Sequence, residues 1–551
     1  MRKIFSVVII CQFIFNTSWA LPFKGTEIVM SAANQTAVQA AMKIAEKGGN
    51  PVDVAVALVL AMSVTNATFA SLGGGGFALV KMGKSIEVLD FRERAPQATS
   101  PNYFKNKAKD ASMTGGAAVA VPGIPAGLWE LKKKYGSSKI DWSILFDEPI
   151  KLAQKGYRVS GEYSEELATN APRFNAAAKR HFLKNGVTPY NPGEIFVQKN
   201  LGRVLSEMRN RNIISFYSGR VAKDIVDTVK AAGGDMTLKD LQDYKPIWRQ
   251  PLTTNYSGYK LYLMPPPSSG GIVIKTALSL IEKLELAKYP ERGIEEYHLL
   301  GQILSRAFRG RTMIADPDHQ NVDTEKLLSK QYVDDLAKSI NLAAASSITP
   351  LNENDDQSTE SKQTTHLSVM DKFGNAVAMT FTLNGDFGSG VASENFGIML
   401  NNEMDDFTTN PGEPNMFGLV QGQGNMVAPG KRPLSSMSPT LVEKNGKIIM
   451  ALGAPGGPRI ISSVIQVLYR TLGRNQDLEL ATAAPRVHHQ LLPDKLFVDE
   501  GLFSPEIIEG LKARKNSTEE SWQARIYAVR NVNGVLEAVF DTRGEGAAGG
   551  L

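Results

Sequence analysis

A polar segment near the middle of the chain divides it into two regions of different character. Residues 343–363 lead from alanines and serines into a tract of Asn, Asp, Glu, Gln, Ser and Thr that has no hydrophobic face. Such a tract cannot bury enough apolar surface to fold by itself, so we predict an exposed, mobile linker. Directly after it, residues 364–383 alternate in hydrophobicity around a turn-rich sequence, which predicts a β-hairpin that begins at Thr364.

The region before the linker is predicted to be mostly helical. Apolar residues recur at helical spacing over 37–45, and the sequence 48–51 ends that pattern. Residues 53–64 form a second, almost wholly apolar helix, which is typical of a buried position. The glycine run 73–76 allows close approach of backbone to backbone or to a ligand. It lacks the lysine of a phosphate-binding loop, so it does not indicate a nucleotide site.

The region after the linker is predicted to contain further strands. A second hairpin is expected around 444–447, where Asn and Gly follow an alternating segment.

Before the linker, residues 125–340 are predicted to be mainly helical, with a rigid Pro-rich loop at 264–271 ahead of another apolar helix.

Composition excludes several classes of protein. The chain has 551 residues, of which 42% are hydrophobic and 21% charged, and these proportions are ordinary for a globular protein. The net charge of +5 on so long a chain gives no argument for nucleic-acid binding. Cys11 is the single cysteine, which excludes an internal disulfide, a cysteine zinc site and a cysteine nucleophile.

The first twenty residues are typical of a secretory signal. Arg2 and Lys3 precede the apolar run 4–15, and small residues stand at Ser18 and Ala20. The apolar run is too short to span a bilayer comfortably, which argues against an uncleaved anchor. We therefore expect cleavage after Ala20 and an exported protein, periplasmic or secreted. Its mature chain would contain no cysteine, as suits an oxidising compartment.

Thr364 is a candidate nucleophile because of where it stands. If the chain were cut before it, Thr364 would carry a free α-amine beside its own hydroxyl. An α-amine has a reference pKa of about 7.7–8.0, so at neutral pH it can act as a general base for that hydroxyl. Pattern alone leaves an equally simple alternative open, namely an ordinary strand behind a flexible loop.

A series of further motifs is spread along nearly the whole chain after the first twenty residues. They lie at 48–50, 73–76, 90–93, 119–123, 315–318, 364–369, 380–384, 400–407, 431–440, 453–460, 484–490 and 541–549. Together they resemble the gamma-glutamyltranspeptidase family of the N-terminal nucleophile hydrolase superfamily. Several of these motifs are long and specific, so chance is a poor explanation for the match.

The resemblance implies both a fold and a reaction. The fold is α+β, a four-layer α-β-β-α sandwich. The precursor cuts itself between Gln363 and Thr364 into a large subunit, 21–363, and a small subunit, 364–551, which stay together. The substrates are glutathione and other gamma-glutamyl compounds. Thr364 attacks the gamma-carbonyl and holds a gamma-glutamyl ester, which passes to water or to an amino acid or dipeptide acceptor. No cofactor or metal is implied.

The resemblance also assigns the site residues. The catalytic set is Thr364, Thr382, Gly456 and Gly457, and the substrate-binding set is Arg92, Asn384, Glu403, Asp406, Ser435 and Ser436. A guanidinium fork and two hydroxyls suit the substrate's α-carboxylate. Two acids with an assisting amide suit its α-ammonium. The Gly456–Gly457 pair can offer backbone N–H groups to an oxyanion, and the Thr382 hydroxyl can hydrogen-bond the nucleophile.

Some residues depart from the family pattern or carry no assigned role. Phe417 stands where many bacterial members have tyrosine, in a loop, 411–425, that resembles a lid over the pocket, so looser closure is expected. His488 and His489 are interpreted as structural, since neighbours in a strand point to opposite faces and seldom share a metal. His366 lies two residues from Thr364 and is given no role.

Two alternative functions are an acylase and a binding protein without catalytic activity. One is an acylase of the same fold that opens a glutaryl amide of β-lactam type. That substrate lacks an α-ammonium, so Glu403, Asp406 and Asn384 argue against it. The other is an exported binding protein that has lost catalysis, against which the complete set Thr364, Thr382, Gly456 and Gly457 argues.

Overall fold

The computed structural model describes residues 22–349, 364–410, 413, 415–419 and 422–551. The predicted signal, residues 1–20, and most of the predicted linker, residues 350–363, lie outside the described residues. Within these ranges the strands are β1 Phe23–Gly25, β2 Ile28–Ala32, β3 Gly75–Met82, β4 Ser85–Phe91, β5 Tyr157–Arg158, β6 Ile195–Phe196, β7 Ile247–Arg249, β8 Leu252–Tyr256, β9 Tyr259–Leu263, β10 Thr365–Asp371, β11 Ala376–Thr382, β12 Thr440–Lys444, β13 Lys447–Gly453, β14 Val487–His488, β15 Leu496–Asp499, β16 Thr518–Ser521, β17 Tyr527–Val532, β18 Val535–Phe540 and β19 Ala547–Gly550.

The helices cover the first region more densely than the second. They are α1 Gln35–Glu46, α2 Pro51–Thr65, α3 Ile124–Tyr135, α4 Asp147–Lys155, α5 Gly161–Asn170, α6 Ala176–Phe182, α7 Lys199–Arg211, α8 Ile214–Ser218, α9 Arg220–Ala231, α10 Leu238–Gln242, α11 Gly270–Lys283, α12 Ile294–Phe308, α13 Thr324–Leu327, α14 Lys330–Lys338, α15 Arg459–Leu468, α16 Leu478–Ala483 and α17 Pro505–Ala513. No helix among the described residues is long and apolar enough to cross a membrane.

Two seven-stranded sheets form the centre of the molecule. One has the order β19-β2-β10-β11-β3-β4-β7 and the other the order β1-β18-β17-β13-β12-β9-β8. They face each other where β10 meets β13 and β17. Helices α1 and α2 pack on the outer side of the first sheet, and α11 and α15 on the outer side of the second. The predicted four-layer α-β-β-α sandwich is confirmed.

Helix α2 shows how sequence positions the outer layer. It carries apolar side chains on every face, its polar residues are Asp53, Ser63 and Thr65, and every one of its residues is buried. Asn50 caps its start by accepting hydrogen bonds from the backbone N–H groups of Val52 and Asp53, and Pro51 occupies the first turn. The predicted helix at 53–64 is thus confirmed, and α2 supports β10 and β11 from behind.

The hairpin of β10 and β11 fixes the position of Thr364. Thr365 pairs with Phe381 in the antiparallel register, so Thr364 and Thr382 are the next residues to face each other at the end of the ladder. The glycine run lies beside this end, because β3 pairs Gly75 with Thr382. A Cβ atom at Gly74 would lie 2.0 Å from the Thr382 carbonyl oxygen, so the run serves close contact between backbones.

The described start of the predicted linker, residues 343–349, lies on the surface and is held at several points. Ala345 donates its backbone N–H to the Arg514 carbonyl oxygen at 2.6 Å. Ser346 accepts from Arg306, and Arg309 donates to the carbonyl oxygen of Thr349 at 2.8 Å. Residues 343–349 are therefore held against the folded body by specific hydrogen bonds.

Candidate active site

Two threonine hydroxyls lie side by side at the open end of the hairpin. Thr364 Oγ1 and Thr382 Oγ1 are 3.3 Å apart, and Thr364 is 6% exposed. Thr382 Oγ1 accepts a hydrogen bond from the backbone N–H of Asn384 at 2.8 Å. Because that N–H uses one lone pair of the hydroxyl, the Thr382 proton remains available to point at Thr364. Thr364 also has a φ of +97°, which is unusual for a β-branched residue.

One pocket collects almost the whole predicted site. Of the ten residues assigned from the sequence, all except Gly456 line it. The open space left among these side chains is about 20 Å³, room for about one water molecule. A substrate must therefore displace some of the contacts now made inside the pocket.

Arg92 follows β4 directly, and its guanidinium is bound by acidic side chains and by backbone carbonyl oxygens. Its guanidinium donates to Glu403 Oε1 and, at 2.5 Å, to Asp406 Oδ2. It also donates to the carbonyl oxygens of Pro433 at 3.3 Å and Leu434 at 3.1 Å. The resemblance assigned Arg92 to the α-carboxylate of a substrate and the two acids to its α-ammonium, whereas here they pair with one another. Burial alone would lower the pKa of Arg92, but the facing Glu403 and Asp406 hold that pKa above its ordinary value.

A second glutamate completes the buried charge cluster. Glu93 and Glu403 are both fully buried. No donor group of another described residue reaches either Glu93 oxygen or Glu403 Oε2, and the two carboxyl groups lie within hydrogen-bonding range of each other. Burial raises the pKa of Glu93 to about 7 despite the nearby Arg92, and burial raises the pKa of Glu403 well above its ordinary range. Burial of both groups therefore favours keeping a proton on this pair of carboxyl groups.

Gly456 and Gly457 form the bend between β13 and α15. Their φ angles are +117° and +52°, which favour glycine. A Cβ at Gly457 would lie 2.7 Å from the Phe417 ring, and one at Gly456 would lie 2.9 Å from Trp522. Within the described part of the chain, neither N–H donates an intramolecular hydrogen bond. Both groups precede the N-terminus of α15, where the helix dipole favours negative charge.

Ser435 and Asn384 are fixed by hydrogen bonds to the backbone of other residues. Ser435 donates its N–H to the Pro267 carbonyl oxygen at 2.9 Å, next to the start of α11. Its hydroxyl accepts from the Met437 N–H at 3.1 Å. Asn384 has a φ of +71° and donates through Nδ2 to the Asn402 carbonyl oxygen at 3.1 Å. These contacts hold Ser435 and Asn384 at the pocket wall, which Ser436 also lines.

The described part of the predicted lid is tied to the acidic turn below it. Glu403 to Asp406 form a single buried 3₁₀ turn. Asp405 accepts from the Met416 N–H at 3.0 Å, and Asn415 donates to Asp406 Oδ1 at 3.1 Å. Phe417 is 4% exposed and its ring lies against Gly457. The Asn384 amide meets the sulfur of Met416 at 3.6 Å. The predicted looser closure stays a prediction.

His366, His488 and His489 do not line the pocket that contains Thr364. His366 is fully buried, and its ring nitrogens contact Thr380 Oγ1 at 2.7 Å and Ser368 Oγ at 3.0 Å. Burial lowers the pKa of His366 to about 3, so it is neutral. His488 contacts Ser462 and Gln490, whereas His489 faces Asp494. No group of three potential metal ligands occurs among the described residues.

Residues that the sequence did not single out also line the pocket. They are Arg311, Leu419, Met437 and Ile460. Glu93 belonged to a motif but was given no role. Arg311 lies four residues before the 315–318 motif, and nothing in its local pattern distinguishes it from a surface arginine. Only the fold brings it into the same pocket as Arg92 and Thr364.

Comparison with known families decides the class of this site. The profile of the gamma-glutamyltranspeptidase family matches residues 37–551. The chain belongs to the gamma-glutamyltranspeptidase family. A "glutathione hydrolase proenzyme" of Escherichia coli (strain K12) is 37% identical over 502 residues, which cover 90% of this chain and 86% of that protein. The "glutathione hydrolase proenzyme" of Pseudomonas aeruginosa PAO1 is 38% identical over 94% of this chain and 93% of its own.

Solved structures agree with the fold of this gamma-glutamyltranspeptidase family member. The cephalosporin acylase from Bacillus halodurans superposes with a TM-score of 0.87 at 24% identity, covering 99% of both chains, which shows the fold alone. The gamma-glutamyltranspeptidase of Helicobacter pylori gives a TM-score of 0.56 at 33% identity, covering 59% of this chain and 97% of its own. The fold is that of the N-terminal nucleophile hydrolases.

Proposed function

We propose that this protein is a gamma-glutamyltransferase and glutathione hydrolase that uses Thr364 as its nucleophile. The observation that carries the proposal is the pairing of the Thr364 and Thr382 hydroxyls in the same pocket as Arg92, Glu403 and Asp406. A nucleophile at one end and buried charges of both signs at the other match a gamma-glutamyl group. That group carries its reacting carbonyl at one end and an α-carboxylate with an α-ammonium at the other.

Substrate binding would proceed by an exchange of ion pairs. The ammonium of the gamma-glutamyl group would take over Glu403 and Asp406, assisted by Asn384, while the carboxylate would take the guanidinium donors of Arg92 so released. The exchange replaces buried charge pairs by equivalent pairs, which avoids the cost of leaving a buried charge without a partner. The hydroxyls of Ser435 and Ser436 would add donors to the carboxylate.

The chemistry would follow from a free amine at Thr364. After cleavage before Thr364, its α-amine can accept the hydroxyl proton as Oγ1 attacks the gamma-carbonyl carbon. The N–H groups of Gly456 and Gly457 would stabilise the oxyanion, a contribution of about 2.7–4 kcal/mol per donor where such donors have been removed. The intermediate collapses to a gamma-glutamyl ester as the proton passes to the leaving amine. Water or an acceptor amine then attacks the ester and restores the Thr364 hydroxyl.

Self-cleavage and export belong to the same proposal. The precursor would cut itself at Gln363–Thr364. The Thr364 hydroxyl attacks the Gln363 carbonyl carbon, the peptide nitrogen leaves as the free α-amine of Thr364, and water opens the resulting ester to give the associated chains 21–363 and 364–551. The relatives named as proenzymes support processing. The positive φ of Thr364 is consistent with strain that cleavage would relieve. The pattern of residues 2–20 supports export to the periplasm or medium.

One assay separates the proposal from its alternatives. Purified protein is mixed with gamma-glutamyl anilide and with glutaryl anilide, which lacks the α-ammonium, and release of the aniline is followed with and without a dipeptide. We expect turnover of the gamma-glutamyl compound, faster release with the dipeptide, and a gamma-glutamyl dipeptide product. Preference for glutaryl anilide would indicate the acylase. Tight binding of glutamate without turnover of either compound would indicate a binding protein.

A further inference from the structure

Arg311 is a buried arginine in the pocket whose donors are not used. It lies in the 3₁₀ turn Arg309–Met313, which follows α12, and it is 3% exposed. Its side chain lines the same pocket as Thr364 and Ser436. Nε and Nη1 are both buried without a hydrogen-bond partner among the described residues.

The contrast with Arg92 makes this unusual. The guanidinium of Arg92 already donates hydrogen bonds to Glu403, Asp406 and two carbonyl oxygens. In this state it has few donors left for an incoming anion. By contrast, Nε and Nη1 of Arg311 have no acceptor among the described residues. A buried guanidinium without a partner is costly, and such a group in a native structure calls for an explanation.

The electrostatic surroundings point to an anion from outside the chain. Burial lowers the pKa of Arg311 to about 10, with Asp406 acting in the opposite sense and Arg92 in the same sense. Asp406 forms its ion pair with Arg92, and no ion pair within 4.0 Å joins Asp406 to Arg311 among the described residues. The positive charge of Arg311 is therefore incompletely compensated until something else enters the pocket.

We infer that Arg311 is a second carboxylate-binding arginine, which takes the α-carboxylate of the gamma-glutamyl group together with Arg92. This inference rests on the proposed function. It also defines how the ion pairs would exchange. The substrate ammonium replaces Arg92 as the partner of Asp406, while the substrate carboxylate binds between the guanidinium groups of Arg92 and Arg311. The reacting carbonyl is thereby held at a fixed distance from Thr364. Arg311 sets specificity for a substrate with a carboxylate at this position.

A comparison of two substrates tests this contact directly. The first substrate is gamma-glutamyl anilide, and the second is 4-aminobutanoyl anilide, which is identical except that the α-carboxylate is missing. Wild-type protein, Arg311→Met and Arg311→Lys are assayed with both. The control is Arg309→Met, in the same 3₁₀ turn, whose side chain instead donates to the Thr349 carbonyl oxygen.

We expect Arg311→Met to lower kcat/KM for gamma-glutamyl anilide by about 10–100-fold, mostly through KM, as for a lost hydrogen bond to a charged group. With 4-aminobutanoyl anilide, Arg311→Met and wild type should agree within about twofold, because the group that Arg311 binds is absent. Arg311→Lys should show a smaller loss confined to the first substrate. Arg309→Met should match wild type with both.

Other outcomes overturn the inference. An equal loss with both substrates would show that Arg311 acts only on the structure, and no loss with either would remove it from the site. If Arg311→Met fails to cleave into two chains, Arg311→Lys carries the same comparison and the same criteria. A wild type inactive towards gamma-glutamyl anilide would refute the proposed function and this inference with it. An active wild type with unaffected variants would refute the inference alone.

Discussion

Removing one hydroxyl, in the variant Thr382→Val, tests how the nucleophile is held. Valine has nearly the shape of threonine but can neither donate nor accept a hydrogen bond. In the structure the Thr382 hydroxyl accepts from the Asn384 N–H at 2.8 Å and lies 3.3 Å from Thr364 Oγ1. The change therefore removes a contact to the nucleophile and leaves the buried N–H of Asn384 without an acceptor.

The two losses have separate readouts. A hydrogen bond to a group that gains charge contributes about 1.5–3 kcal/mol, so kcat should fall by about 10–100-fold. The orphaned Asn384 N–H should cost about 1–3 kcal/mol of stability, which lowers Tm. The assay is steady-state hydrolysis of gamma-glutamyl anilide, combined with thermal unfolding of the same samples.

Thr365→Val provides a matched control. Thr365 is the neighbour of Thr364 and is fully buried, but its hydroxyl has no hydrogen-bond partner among the described residues. Removing a buried unsatisfied hydroxyl should leave kcat unchanged and Tm equal or higher. If Thr382→Val keeps wild-type kcat, or if both variants lose activity alike, the role given to Thr382 is wrong.

Three further predictions concern the charged pocket and the lid. Arg92→Lys loses the fork that bridges Glu403 and Asp406, so KM should rise by about 10–100-fold with normal self-cleavage, and an unchanged KM would remove Arg92 from the site. Glu93 has its pKa raised from 4.5 to about 7 by burial, so stability present below pH 4.5 is lost as pH rises towards 7, by up to about 3 kcal/mol. Glu93→Gln cannot titrate, so its Tm should fall less than that of wild type between about pH 5 and pH 8, and an identical fall would contradict the shared proton. Phe417→Tyr gives the lid a phenol that can hydrogen-bond Asn384; the ratio of hydrolysis to transfer should change modestly with little loss of stability, and unchanged rates would remove the lid argument.

The local sequence pattern was sufficient to predict the strands and the helix that position the nucleophile. Alternation around residues 371–375 predicted the hairpin of β10 and β11, and its register then brings Thr364 to Thr382. The apolar run at 53–64 predicted α2 in the same way. Turn residues Asn445 and Gly446, with φ of +52° and +77°, predicted the second hairpin because only such residues adopt this turn readily.

The ion pairs inside the charged pocket could not be predicted from the local sequence pattern. Arg92 and Glu403 are 311 residues apart, and the resemblance indicated which ligand each would hold but not that they pair when no ligand is present. Arg311 and Glu93 were missed for the same reason: burial and missing partners decide their importance, and both depend on how distant elements pack. Gly456 was assigned with Gly457, yet Gly457 lines the pocket whereas Gly456 packs against Trp522.

Trapping an ester on Thr364 tests most directly whether this residue is a nucleophile with a free amine. Wild-type protein and Thr364→Ala are mixed with gamma-glutamyl anilide, quenched in acid and analysed by intact and peptide mass spectrometry. For wild type we predict a chain that begins Thr364-Thr365-His366 and carries one gamma-glutamyl group on Thr364, whereas Thr364→Ala stays uncut and unlabelled. Full activity in an uncut chain, or a gamma-glutamyl group on another residue, would contradict the account.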